Sequence, residues 1–233
     1  MKKRAFTLIE MLIVMVLIAI LALYSIPRLN RDSRSEAINH LLTMIRFTQN
    51  LALHDNRHNF NNSMWQKSFW RFEIYQCKNG GLFYKIGADK QYNGGLNRGE
   101  VAIDPSNGKF TFWDTRKECP KNSQDALMQD VSPNIFITQK YGINKVEFKN
   151  CAIYGSKPLV SNAKHVRFDF FGRAYRGYTR VSKYASLNQP RNLGVQLNNC
   201  EIEFSFIDPN IKPFTIIIPN ESGFAYLKEN PSL

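Results

Sequence analysis

The chain has 233 residues, and about 200 remain without its apolar N-terminus, enough for one soluble domain with a hydrophobic core. Aromatic residues make up 13% and often alternate with other types, which favours β-structure and argues against a disordered chain. The formal net charge is +12; Lys2, Lys3 and Arg4 supply three of these charges, so +9 remains without them. A basic balance suits a polyanionic partner such as nucleic acid or an acidic membrane surface.

The first predicted element is an apolar helix that follows the three positive charges. Phe6 to Ile26 is 21 residues, about 31 Å as a helix, which is close to the hydrocarbon thickness of a bilayer. One interpretation is a signal-anchor held by the positive-inside rule. Another is a secretory signal peptide, although "ALYSIPRLN" offers a poor cleavage site.

Glu10 is the residue that neither interpretation explains. A carboxylate inside a membrane helix costs about 3 kcal/mol and usually marks a functional site with a partner. Cleavage before Phe6 would create that partner, a free α-amine that is charged at neutral pH and four residues away. Glu10 could pair with its own terminus or with the terminus of a neighbouring subunit.

The stretch "KKRAFTLIEMLIVMVLIAILA" resembles the N-terminus of type IV pilins and pseudopilins. In that family a short basic leader and a small residue precede Phe-Thr-Leu-Ile-Glu and an apolar helix. The resemblance implies that a prepilin peptidase cuts between Ala5 and Phe6 and methylates the new amine of Phe6. It also implies that Glu10 pairs with the terminal amine of the adjacent subunit in a filament, and that Pro27 kinks the helix. The leader usually ends in Gly, and we interpret Ala5 as slowing the cleavage without abolishing it.

The helix is predicted to continue to about Arg57, half in the membrane and half on a domain. Apolar residues recur there with a period near 3.6. They are Ala37, Ile38, Leu41, Leu42, Ile45, Leu51 and Ala52. The predicted domains are therefore a leader at 1–5, a transmembrane and filament-core helix at 6–26, its amphipathic continuation at 27–57, and a β-rich globular domain at 58–233.

Short alternating segments predict strands in the remaining chain. They are "SFWRFEIYQ", "LFYKIG", "GKFTFW", "NIFITQ", "NKVEFKN", "HVRFDFF", "CEIEFSFI" and a closing hairpin in "FTIIIPNESGFAYL". Residues 87–99 and 115–133 are predicted loops. The predicted fold class is α+β: a long N-terminal helix, its first half transmembrane, packed on a mainly antiparallel sheet domain.

Three downstream segments resemble the GspH/FimT-type branch of pseudopilins and minor pilins. They are "LLTMIRFTQNLALHDNR", "VRFDFFGRA" and "FTIIIPNESGFAYL". The resemblance implies a pilin-like fold with a long helix and two antiparallel sheets. Some FimT-type members resemble DNA receptors through a Gly-Arg-x-Arg element in the closing hairpin, where this chain has "GFAY".

The four cysteines are Cys77, Cys119, Cys151 and Cys200. No two lie within four residues, which excludes the CxxC spacing of redox and zinc sites. In an oxidising compartment two disulfides are expected, and three pairings are open. Cys77 with Cys119 and Cys151 with Cys200 is the simplest local pairing.

No enzyme, cofactor or metal site is predicted. The nucleophile-elbow, phosphate-loop and zinc-protease motifs are absent from the sequence. His54 and His58 have metal-pair spacing on a helix end, but we interpret them as solvated polar residues. The "DPSNG" segment at 104–108 has too few carboxylates nearby for calcium and is interpreted as a turn.

The stretch 164–184, "KHVRFDFFGRAYRGYTRVSKY", combines cations with tyrosines. Cations neutralise phosphates and aromatic rings stack on bases, so Arg173, Arg176, Tyr178 and Arg180 are candidates for DNA contact. The alternative is a basic, solvated hairpin, because residues clustered in sequence need not cluster in space.

These observations predict a minor pilin or pseudopilin of a type II secretion or type IV pilus-like filament, supporting protein secretion or DNA uptake. We expect a single-pass protein of the bacterial inner membrane, with its C-terminal domain in the periplasm or on the filament surface. The expected partners are other pilins or pseudopilins, the prepilin peptidase, an inner-membrane assembly platform and, as a further candidate, DNA. The alternative is a membrane-anchored DNA-binding or adhesin domain that does not assemble.

Overall fold

The computed structural model describes residues 8–56, 68–121, 130–149, 164–175, 199–219 and 221–228, with only the backbone described at 22–32, 164 and 175. Within these residues the protein is α+β, with one long N-terminal helix and two antiparallel sheets. Helix α1 spans Leu8–Leu53, 46 residues, and runs through Pro27. It ends at Leu53, four residues before the predicted boundary at Arg57, and a turn at His54 follows it.

Within the described ranges, each sheet has four strands. The strands are, in chain order, β1 (Trp70–Gln76), β2 (Leu82–Gly87), β3 (Ile143–Lys149), β4 (Lys164–Phe168), β5 (Ala174–Tyr175), β6 (Cys200–Phe206), β7 (Phe214–Ile218) and β8 (Tyr226–Leu227). The first sheet has the order β2-β1-β4-β5 and the second the order β3-β6-β7-β8. All the pairings within both sheets are antiparallel.

The C-terminal half of α1 packs into the same hydrophobic core as both sheets. Ala37, Leu41 and Ile45 of its predicted apolar stripe are fully buried. The stripe recurs every three to four residues, so its members share one helix face and enter the core together. Strand β6 contributes alternate buried residues, as its sequence pattern predicted: Cys200, Ile202, Phe204 and Phe206.

The predicted strand "NIFITQ" is wrong. A 3-10 turn at Pro133–Ile135 is followed by helix α2, Ile137–Tyr141. The Ser132 side chain accepts a hydrogen bond from Asn134 N and caps this turn, and Gly142 ends α2 in the left-handed conformation, with φ 72°. A short apolar run satisfies a buried strand and a buried helix equally well, so periodicity could not separate them here.

The predicted strand "GKFTFW" is also wrong. Phe110 makes only isolated bridges, to Ile103 and Val131. The Thr111 hydroxyl donates instead to the carbonyl oxygens of Ile86 and Ala102, at 3.1 and 2.8 Å. This segment is therefore held beside β2 by a side chain and single bridges, without a continuous ladder.

Candidate functional site

The first part of α1 carries its apolar side chains on the surface. Every residue from Leu8 to Leu21, a segment named here the N-terminal arm, is exposed. Its large apolar side chains expose between 46% and 83% of their area. A continuous apolar surface of this kind marks a contact with a membrane or with other protein. Among the residues that the structure describes, no helix is both long enough and apolar enough to cross a membrane.

Glu10 is the one ionisable side chain in the sequence of the N-terminal arm. Its side chain is exposed. Ala5 and Phe6 lie outside the described residues. Cleavage between them, methylation of Phe6 and the ion pair with Glu10 therefore stay predictions.

Three polar side chains tie the C-terminal half of α1 to main-chain carbonyls of the domain. The contacts are Arg34 Nε to Lys212 O at 2.9 Å, Arg46 Nε to Ala225 O at 2.9 Å, and Gln49 Nε2 to Gly172 O at 2.7 Å and Ser222 O at 2.8 Å. Together with the shared core, these bonds couple α1 to turns of both sheets. A load applied along α1 would therefore be transmitted to the domain.

Cys77 and Cys119 form a disulfide between the end of β1 and a loop 42 residues further along the chain. Both are buried, and Asn79 supports the loop through reciprocal bonds of 3.0 Å to the backbone of Cys119. Cys200 is also disulfide-bonded. Its expected partner, Cys151, lies outside the described residues, so that pairing stays a prediction. Disulfides persist in oxidising compartments such as the bacterial periplasm.

The two candidate metal sites from the sequence were the His54/His58 pair and the segment 104–108. His54 Nδ1 lies 2.9 Å from the carbonyl oxygen of Asn50, and His58 lies outside the described residues. The Asp104 carboxylate accepts bonds from Ser106 N, Ser106 Oγ, Asn107 Nδ2, Ser132 Oγ and Asn134 Nδ2. Burial alone would raise the pKa of Asp104, but these bonds hold it below its ordinary value. The described ranges contain no group of three side chains that could hold a metal ion.

The basic stretch at 164–184 is described only as far as Tyr175. Arg173 forms an ion pair with Asp169, with both Nε and Nη2 at 2.8 Å from Oδ2, and its side chain is 45% exposed. Arg167 is 7% exposed. Arg176, Tyr178 and Arg180 lie outside the described residues. DNA contact from this stretch therefore stays a prediction, and of its described arginines only Arg173 reaches the surface.

The sequence pattern did not predict that charged side chains on the first sheet are buried. Arg71 Nε lies 3.0 Å from Glu73 Oε1, and the Tyr75 hydroxyl donates to Glu73 Oε2 at 2.7 Å. Lys85 lies over the rings of Tyr75 and Phe112, at 4.7 and 4.4 Å, and burial lowers its pKa to about 8. The alternation in "WRFEIYQ" places Arg71, Glu73 and Tyr75 on one face of the strand, and such a polar face is normally exposed to solvent.

A loop contacts this layer of buried charged side chains at Arg71. Arg71 Nη2 donates to the carbonyl oxygen of Gly94 at 3.1 Å. That loop is shaped by two buried carboxylates: Asp89 accepts from Asn93 N and Gly94 N, and Glu100 accepts from Gln91 N and Asn97 N. The layer thus serves the architecture of the domain, since its charged groups are occupied by one another, by rings and by backbone.

Comparison with known proteins identifies the N-terminus. Residues 1–26 match the family model of the prokaryotic N-terminal methylation motif. This is a type IV pilin-like signal, and it points to a chain that is processed as pilins and pseudopilins are. No curated protein and no solved structure matches the chain. The GspH/FimT-type branch is therefore a resemblance of the downstream residues only.

Proposed function

We propose that this chain is a minor pilin or pseudopilin, a non-enzymatic subunit of a type II secretion or type IV pilus-like filament. The observation that carries the proposal is the exposed apolar N-terminal arm, which lies within a methylation motif and contains the single carboxylate Glu10. The 14 residues from Leu8 to Leu21 form an exposed, largely apolar helix that needs an apolar environment. The membrane would provide this environment first, and the core of the filament would provide it after assembly.

Processing is the first step of the proposed function. Lys2, Lys3 and Arg4 hold the leader on the cytoplasmic side of the inner membrane. The prepilin peptidase then hydrolyses the amide between Ala5 and Phe6 and releases the leader. A methyl donor bound by the peptidase transfers its methyl group to the new α-amine of Phe6, which gives up a proton. The chain is in this step a substrate and contributes no catalytic group.

Assembly is the second step, and Glu10 directs it. In an apolar surrounding an unpaired carboxylate costs about 3 kcal/mol, whereas a carboxylate paired with an amine is stabilised. The Glu10 carboxylate of one subunit therefore pairs with the amine of Phe6 in the adjacent subunit. This pairing sets the axial register, while the apolar side chains of the arm pack against neighbouring helices.

Transmission of force along the filament is the third step. The C-terminal half of α1 is bonded to turns of both sheets through Arg46 and Gln49, so the domain follows the helix. The β-domain would lie on the filament surface, in the periplasm or outside the cell. The buried Cys77–Cys119 disulfide supports that location, because such bonds persist in oxidising compartments.

The test of this function is the variant Glu10→Ala in cells that contain the complete filament machinery. We expect membrane insertion to be unchanged and incorporation into sheared filaments to be lost. Glu36→Ala is the matched control, because Glu36 is an exposed carboxylate further along the same helix. Mass spectrometry should find N-methyl-Phe6 at the terminus of the wild-type chain. Normal incorporation of Glu10→Ala would contradict the charge-pairing mechanism.

A membrane-anchored DNA-binding domain that does not assemble is the second candidate, favoured by the charge of +9 that remains without the leader cations. Binding of duplex DNA should then weaken steeply with salt, and Arg176→Glu with Arg180→Glu should weaken it further. Absence of binding at low salt would instead favour protein secretion or a purely structural role in the filament.

A further inference from the structure

Exposed apolar side chains gather where the end of α1 meets two turns of the domain. Leu53, Phe171 and Phe224 are 49%, 61% and 52% exposed, and they are three of the six large exposed apolar side chains described outside the N-terminal arm. A β-carbon on Gly172 would lie 3.0 Å from Leu53 Cδ2, so these elements touch. We name this surface, formed by Leu53, Phe171 and Phe224, the aromatic patch.

Hydrogen bonds of Gln49 hold the elements of the aromatic patch together. Gln49 Nε2 donates to Gly172 O and Ser222 O, at 2.7 and 2.8 Å, and thereby joins the two turns that carry Phe171 and Phe224. Gln49 is itself buried. A surface that is ordered before binding loses little conformational entropy when a partner arrives, which favours its use as a docking site.

Two guanidinium groups lie on the rings of the aromatic patch. Arg46 Cζ lies 4.3 Å from the centroid of Phe224, and Arg173 Cζ lies 5.0 Å from that of Phe171. Arg173 is paired with Asp169. Arg46 uses its Nε on Ala225 O, and within the described ranges it has no ion pair with a carboxylate. Among the residues that the structure describes, the patch therefore offers apolar rings beside a cation, Arg46, that no carboxylate pairs with.

We propose that the aromatic patch docks an acidic segment of a different subunit of the assembly, with an apolar side chain against the rings and a carboxylate on Arg46. This inference rests on the proposed function, because it takes the partner from the same filament. Aromatic residues and arginine are the residue types enriched at the energetically important centres of protein interfaces.

A second copy of this chain fits the aromatic patch poorly. Three carboxylates on the second sheet are already paired with its own lysines: Glu147 with Lys145, Glu201 with Lys228 and Glu203 with Lys149. Two patches facing each other would place Arg46 and Arg173 against identical cations, which is destabilising. Glu118 and Glu221 are exposed and have no ion pair among the described residues, so a head-to-tail contact with a second copy is an outcome that the test distinguishes.

Nucleic acid also fits less well than protein. Binding to a phosphate backbone depends on several cations along a groove. Only two described arginines lie on the rings of the aromatic patch, one of them already paired with Asp169, and the three apolar side chains of the patch are each about half exposed or more. We therefore assign the patch to a protein partner and treat nucleic acid as an outcome that would overturn the assignment.

The experiment places the photo-crosslinking residue benzoylphenylalanine at position 171 or 224 of the full chain, in cells with the complete filament machinery. Mass spectrometry then identifies the residue to which each crosslink is made. Position 207 is the matched control, because Ile207 is also 61% exposed but lies away from the patch. Its loop leads to Lys212, whose carbonyl oxygen accepts a hydrogen bond from Arg34, near the opposite end of the part of α1 that packs on the domain.

We expect crosslinks from both patch positions to an acidic segment of another pilin-type subunit, absent from position 207. Arg46→Glu should reduce them about tenfold through loss of the charge contact. Crosslinks to a second copy, to nucleic acid or to lipid would overturn the proposal, as would their absence in a folded chain with an intact Cys77–Cys119 disulfide. Filament incorporation of Glu10→Ala is scored separately, so failure of the patch and failure of the filament function give different results.

Discussion

Gly223 approaches Gly172 so closely that a β-carbon on Gly223 would lie 1.9 Å from the carbonyl oxygen of Gly172. Gly172 lies between β4 and β5 of the first sheet, and Gly223 lies between β7 and β8 of the second. The two sheets therefore meet through their turns at this contact. Gln49 of α1 donates to the same carbonyl oxygen, at 2.7 Å, so three elements converge at a single atom.

The first prediction is that Gly223→Ala lowers the free energy of unfolding by about 3 kcal/mol. Two penalties combine: the left-handed backbone, with φ +65°, and the clash with Gly172 O. Gly108→Ala is the control, because Gly108 has φ +71° but nothing within 4 Å of the added carbon. Urea denaturation of the full chain in mild detergent measures both variants. Equal losses in the two variants would contradict the close approach of the sheets.

The second prediction contrasts two buried cations. Arg71→Met should destabilise the domain by about 4 kcal/mol, because it removes the cation that lies 3.0 Å from the buried carboxylate of Glu73. Lys85→Met should leave stability unchanged or raise it, because Lys85 contacts rings and its charge is costly to bury. The denaturation midpoints of the two variants provide the measurement. A large loss in Lys85→Met would show that its contacts with the rings and its attraction to Glu73 together outweigh the cost of burial.

The third prediction concerns pH. His40 Nε2 lies 2.9 Å from the Tyr84 hydroxyl, and its pKa is lowered from 6.5 to about 4 by burial and, secondarily, by Lys140. Below pH 6.5 the unfolded chain therefore binds a proton that the folded chain does not. We expect the free energy of unfolding to fall by about 2 kcal/mol between pH 7.5 and pH 5 from this group alone.

The control for the pH prediction is His40→Gln, whose side-chain oxygen can accept the hydrogen bond from Tyr84 without titrating. Its stability should change less over the same interval, and the difference between the two profiles isolates His40 from carboxylates that titrate at lower pH. Parallel profiles for the wild type and His40→Gln would mean that His40 protonates as easily in the folded protein as in the unfolded chain.

The fourth prediction concerns the disulfide. Cys77 and Cys119 are 42 residues apart, and closing a loop of that length in the unfolded chain contributes about 4 kcal/mol in the chain-entropy treatment. The double variant Cys77→Ser, Cys119→Ser should lose stability of that order while Cys200 remains bonded. Denaturation with and without reductant gives the comparison, and an unchanged midpoint in the double variant would show that buried packing alone holds the loop.

Local patterns predicted much of the fold. The stripe of Ala37, Leu41 and Ile45 and the alternation around Phe204 both depend on neighbours within one element, so the sequence contains the information directly. "NIFITQ" was misassigned because its capping depends on Ser132 and Gly142, and a short apolar run alone does not distinguish a helix from a strand. For the candidate site, the Phe-Thr-Leu-Ile-Glu stretch was sufficient to identify the methylation motif at residues 1–26.

The sequence by itself determined the N-terminal signal, the apolar segment with Glu10 and the amphipathic half of α1, because each depends on residues close together in the chain. Only the tertiary structure decided that Glu73 and Lys85 are buried with Arg71. It alone also decided that the turns containing Gly172 and Ser222 both accept hydrogen bonds from Gln49. Gln49 and Gly172 are 123 residues apart, and no local pattern encodes a contact over that separation. Such contacts arise when separate elements fold against a common core and bring distant backbone groups within bonding distance.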